Sequence, residues 1–179
     1  MRTRLRRVVL VGAVLIGLSA TTAYGNGTSS PRTDPVLASF GASIATGRQT
    51  FCTGADGDYV EADSHFTGAL HSTDPRLDGM LSVQGTFLVN LTTGFGSGRG
   101  TFQIRENVTG LLLVNGTFEG AIDAVSRFKG LAVGHVSGGG RLIAVLSVTL
   151  AAGTAVGNLG SPIGTVASDP AVIQSGGCH

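Results

Sequence analysis

Leu81-Ser82-Val83-Gln84-Gly85-Thr86-Phe87-Leu88-Val89-Asn90-Leu91 is the stretch that decides the fold. Leu81, Val83, Gly85, Phe87, Val89 and Leu91 fall on one face of an extended chain, and Ser82, Gln84, Thr86 and Asn90 on the other. A period of two is the signature of a strand with one face on a core. The pattern returns at Leu112, Val114, Gly116, Phe118, Gly120 and Ile122, and again at Leu142, Ala144, Leu146, Val148 and Leu150. The apolar run from Leu142 to Val156 also reads as strand, because its β-branched residues alternate with Ser147 and Thr149. Turn signals separate these runs: Asp74-Pro75, Asp78-Gly79, Thr109-Gly110 and Gly138-Gly139-Gly140. The glycine run Gly94 to Gly100 reads as another hairpin connection. It lacks the lysine and following helix that a phosphate-binding loop needs. The spacing is that of hairpins in a meander and no long helical pattern interrupts it, so the fold class is all-β, a single antiparallel barrel or closely related sandwich.

Outward from that core, the N-terminus carries Arg2, Arg4, Arg6 and Arg7 without an acid, then an apolar run from Val8 to Leu18. A basic segment followed by an apolar run shorter than the roughly 20 residues of a spanning helix reads as a signal peptide, with cleavage expected near Gly25. The alternative is a retained anchor helix. Arg6-Arg7 ahead of Val8-Val9-Leu10 has the look of a twin-arginine signal, though such pairs are common in basic leaders. Residues 26–35 are small, polar and proline-punctuated, a lead-in to one domain over 36–179. The expected location is therefore outside the cytoplasm, secreted or at the cell surface or periplasm, with no transmembrane span in the mature chain. Loss of residues 1–25 removes four of twelve basic residues and none of eleven acids, leaving a net charge of about −3. That argues against a nucleic-acid surface.

Cys52 and Cys178 are the only cysteines. In an exported chain an even pair is most simply a disulfide, here joining an early strand to the C-terminal tail. Gly-Thr-Phe occurs three times, at Gly85, Gly100 and Gly116, with spacings close to one strand plus one connection. Phe-x-Gly occurs at Phe66, Phe118 and Phe128. Glycine on the same face as an aromatic lets a ring lie over bare backbone and lets a strand coil.

Phe66 to Leu70, Thr73 to Gly79, Gly96 to Gly100 and Gly116 to Gly120 together resemble segments of uncharacterised exported bacterial glycine-rich barrel proteins. More distantly they are similar to the allene oxide cyclase and dirigent barrel group. The resemblance spans about residues 50 to 155 and implies an eight-stranded antiparallel barrel with a small central cavity. It transfers no activity to any residue.

Candidate chemistry is sparse. Asp56, Asp58, Glu61 and Asp63 cluster as a calcium candidate, but Val60 stands where a third oxygen ligand of a calcium loop belongs, and a solvated acidic loop is the plainer reading. His65 and His71 are candidate general bases, with His65 expected to face solvent. Glu119 is the one charge within a strong alternating strand, a cavity acid if the cavity lies on its side. His135 follows Leu131 and Val133 in register and reads as a core or cavity histidine. Phe87, Phe102 and Phe118 are expected to line the interior. Asn26, Asn90, Asn107 and Asn115 lie in Asn-x-Thr, either glycan acceptors or, for Asn90 and Thr92, one polar strand face. No cofactor is implied. The expected function is a non-enzymatic exported module, structural or holding a small apolar ligand. The alternative is a cofactor-free cyclase or isomerase using Glu119 or His135.

Overall fold

Period-two alternation closes into a barrel of eight antiparallel strands in the computed structural model, which describes residues 34–160 and 177–178. The strands are β1 (Ala38–Gly54), β2 (Gly57–Ser72), β3 (Gly79–Asn90), β4 (Gly96–Arg105), β5 (Leu112–Ile122), β6 (Arg127–Val136), β7 (Arg141–Ala151) and β8 (Thr154–Gly160). Each pairs with the next, and β8 returns to β1 over Ala38–Ser43. The one helical element among the described residues is a 3-10 turn, Pro75–Leu77, whose N-terminus is capped by the Asp74 carboxylate accepting from the Arg76 amide at 2.9 Å. No helix among the described residues is long and apolar enough to cross a membrane. The expected signal peptide, residues 1–25, lies outside the described residues, as do positions 26–33 of the lead-in and Asn26.

The apolar run Leu142 to Val156 is two strands. Ala152 and Gly153 both take positive φ (37° and 84°) and turn the chain in two residues, the geometry that matches the twist of a hairpin. The Gly94 to Gly100 reading is corrected as well. The β3–β4 connection covers only residues 91–95, and Gly96, Gly98 and Gly100 lie within β4. A Cβ at Gly98 would stand 2.5 Å from Phe87 Cδ1, and one at Gly100 2.8 Å from Phe118 Cε1. Gly98 is bare so that a ring can lie on the backbone, and at Gly100 the β3 backbone at Gln84 and Gly85 crowds the position even more closely than the Phe118 ring. The Gly-Thr-Phe repeat has the same cause: Gly85 faces Gly100 across the ladder beneath the tip of Phe118, and Phe102 covers Gly116.

Inward positions of neighbouring strands mesh into one core containing Leu70, Ile104, Val114, Phe118 and Phe128. Asn90 is the only buried polar residue among those described, 4% exposed. Its amide oxygen accepts from the Thr92 and Thr93 main-chain N–H groups at 2.9 and 3.0 Å, and its Nδ2 donates to the Asp56 carbonyl at 3.4 Å. Asn90 is thus a turn-former, and neither an exposed glycan acceptor nor part of a polar strand face with Thr92.

β1 outruns the barrel. Its register slips between Ile44 and Thr46, a bulge that bends the strand, and beyond it Thr46–Gly54 pairs with β2 alone among the described residues. There Cys52 is bonded to Cys178, with Cα atoms 5.4 Å apart. The expected disulfide is present.

Candidate functional site

Two places carry enough shape to be considered, the barrel interior and one stretch of its outer wall. The interior holds a cavity of about 70 Å³ whose lining side chains are all apolar. Phe87, Phe102 and Phe118 line it as expected, joined by Phe66 and Phe128. Phe66, Phe87, Phe118 and Phe128 form a chain of ring contacts, centroids 5.8–6.4 Å apart and mostly edge to face. A dry cavity that admits benzene measures about 150 Å³, so this space is a packing gap between rings. A shallower opening of about 320 Å³ lies at the barrel end near Gly153, and Phe66, Phe87 and Leu150 border both spaces.

Neither proposed cavity residue is inside. Glu119 is exposed on the face opposite Phe118. His135 is exposed too, which corrects its reading as a core or cavity histidine. The inward parity of β6 is set by Phe128, Gly130, Ala132 and Gly134, so Leu131, Val133 and His135 point outward, and Leu131 is 41% exposed.

The acidic cluster is not a loop. Asp58, Glu61 and Asp63 lie on β2, and only Asp56 sits in the turn before it. Each has its own partner. Asp56 accepts from the Tyr59 hydroxyl at 2.7 Å, Asp58 from the Thr53 hydroxyl at 2.7 Å, Glu61 from the Cys178 amide at 3.2 Å and Asp63 from the Thr86 hydroxyl at 2.6 Å. Strand alternation turns Asp58 to the face opposite Glu61 and Asp63, so the oxygens cannot converge on one ion. No group of three metal-ligating side chains occurs among the described residues. The Tyr59 phenol is pushed up from its ordinary range, chiefly by its hydrogen bond to Asp56. His71 Nδ1 lies 3.3 Å from Asp78 on the surface, and His65 Nε2 lies 2.9 Å from Ser82 Oγ.

The outer wall over β2–β6 is hollowed into a trough of about 830 Å³. Ladder register lays its side chains in two rows. One runs Thr46, His65, Gln84, Thr101, Thr117, Val133; the other runs Asp63, Thr86, Arg99, Glu119, Leu131, with Arg48 of β1 in register next to Asp63 but outside the lining. Three residues read separately in the sequence, Asp63, His65 and Glu119, therefore share one concave surface. Arg99, which no pattern in the sequence singled out, and Gln84, read only as part of a polar strand face, complete it. Glu119 and Arg99 face each other across the β4–β5 ladder, yet no ion pair joins them, and the Gln84 side chain makes no hydrogen bond among the described residues.

No family model matches this chain, and neither a curated protein nor a solved structure matches it. The eight-stranded antiparallel barrel stands on its own geometry. Nothing in the comparisons supports the specific link to the allene oxide cyclase and dirigent group.

Proposed function

We propose that this chain is an exported, non-catalytic β-barrel module with a structural role, its interior closed by its own side chains. The observation that supports this most is the ring-filled core, which leaves about 70 Å³ of wholly apolar space. A small barrel either fills its interior or encloses a ligand, and here phenylalanines occupy the centre. The cyclase or isomerase alternative has less support, since Glu119 and His135 both face away from the cavity it would use. Export is part of the proposal and rests on the basic and apolar N-terminus.

The test has two arms. Expression of the full chain in a bacterial host, followed by N-terminal sequencing of material outside the cytoplasm, is expected to give a mature start near residue 26. Native mass spectrometry and thermal-shift screening against fatty acids, isoprenoids and aromatic metabolites are expected to show no adduct and no stabilisation. A stoichiometric ligand would replace the structural role with a binding one.

A further inference from the structure

We infer that the outer trough over β2–β6 is a binding site for a neutral oligosaccharide. Its charges alternate and nearly cancel: Asp63 and Glu119 flank Arg99 in one row, with His65 in the other. Two carboxylates oppose a strongly anionic ligand, and Arg99 between them opposes a polycation. The lining mixes apolar surface with Asp63, His65, Gln84, Arg99 and Glu119, and a wholly apolar ligand would strip water from those polar groups without satisfying them. What remains is a ligand rich in hydroxyls, each both donor and acceptor.

The side chains suit such a ligand. The Arg99 guanidinium and the Glu119 carboxylate are planar groups that can address two neighbouring hydroxyls at once, and no hydrogen bond or ion pair within the described residues occupies either. Asp63 is held by the Thr86 hydroxyl through Oδ1 alone, which leaves Oδ2 open. His65 is anchored through Nε2 to Ser82, which leaves Nδ1 open. At the far end Leu131 and Val133 supply an apolar wall for the C–H face of a sugar ring. All these groups stand on paired strands, so little order must be gained on binding. The trough's volume lies within the usual range for a ligand site. This inference is independent of whether the interior is closed, since it concerns the opposite face of the wall.

The test is a glycan array carrying neutral glucan, mannan and galactan oligosaccharides beside uronate-containing and sulfated ones, probed with the full exported protein. Hits are then measured by calorimetry. Retention on one or more neutral glycans is expected, with Arg99→Ala and Glu119→Gln each weakening Kd about tenfold, the scale of one charge-assisted hydrogen bond. Arg141→Ala, exposed on β7 and outside the trough, should leave Kd unchanged. Circular dichroism and melting temperature establish that the variants fold. Absence of retention on every neutral glycan, retention only on anionic ones, or binding that survives the combined Arg99→Ala, Glu119→Gln variant would overturn the inference. So would light scattering that shows the trough occupied by a second copy, with the trough variants abolishing that association.

Discussion

The main-chain N–H of Cys178 donates to Glu61 Oε2 at 3.2 Å while the Cys178 sulfur is bonded to Cys52 on the neighbouring strand. Cys178 is thus held twice, by a covalent bond to β1 and a hydrogen bond to β2, beside the stretch of β1 that β8 does not reach. The disulfide spans 126 residues of sequence, and chain-entropy reasoning gives about 5 kcal/mol for a loop of that size. Reduction, or Cys52→Ser, is expected to lower stability by several kcal/mol in urea unfolding. Alkylation followed by intact mass should find no free thiol before reduction and two after it. Glu61→Ala should cost far less, about 1–3 kcal/mol at most.

Glycines under the rings are expected to tolerate no side chain. Gly98→Ala places a methyl against Phe87 and Phe128 and should cost about 1–3 kcal/mol by overpacking. Gly41→Ala, where a Cβ would meet nothing within 4 Å, should be neutral or slightly stabilising. Chemical denaturation of the pair checks this, and equal effects would count against the close-approach explanation.

Phe118 packs against Phe87 at a tilt and against Phe128 edge to face, at the centre of the barrel. Phe118→Ala should lower stability by about 3–5 kcal/mol and enlarge the cavity toward the size that admits benzene. A thermal shift with benzene is expected for the variant and not for the parent. Phe118→Leu is the milder change if the alanine variant does not fold, and it should destabilise less.

Two turn carboxylates set an acid dependence. Glu106 is held below its ordinary range, chiefly by the Thr109 hydroxyl and then by the Thr109 and Val108 amides. Asp123 is held below its range chiefly by the Arg127 amide, with the Arg127 side chain and the Val125 amide adding to the effect. A carboxyl whose folded pKa lies below its unfolded one contributes stability above the unfolded value. That contribution is lost as pH falls through the folded value. The parent should therefore melt higher than the Glu106→Gln, Asp123→Asn double variant at neutral pH, with the gap closing as pH drops below about 4. A gap that stays constant through the acid range would contradict this.

The strand from Leu81 to Asn90 was legible because alternation is a local property, carried by each residue and its second neighbour, whereas Leu91, expected on the same inward face, lies in the turn beyond β3 and is 52% exposed. The glycines of β4 were not, since a glycine run marks equally a turn or a wall that rings press against. Only pairing with β3 and β5, which sets Gly98 beneath Phe87, decides between them. His135 was misplaced for a related reason. Leu131 and Val133 look like an inward face, but Gly130 and Gly134 hold the inward positions and carry no hydrophobic signal. The trough was invisible because Asp63, Arg99 and Glu119 lie far apart in sequence and become neighbours only through ladder register.

The ladder between β1 and β8, Ala38–Ser43 against Thr154–Leu159, has a kinetic consequence. Every other ladder joins strands adjacent in sequence and can zip up hairpin by hairpin. This seam alone must bring the two ends of the meander together, against the largest loop-closure entropy in the molecule. A chain emerging N-terminus first would carry β1 as an open edge until Leu159 is available, so its vulnerability to misassociation should be concentrated in that interval. In the finished barrel the same seam is where unzipping should begin. Amide exchange should then run faster along Ala38–Ser43 and Thr154–Leu159 than along β3 to β5.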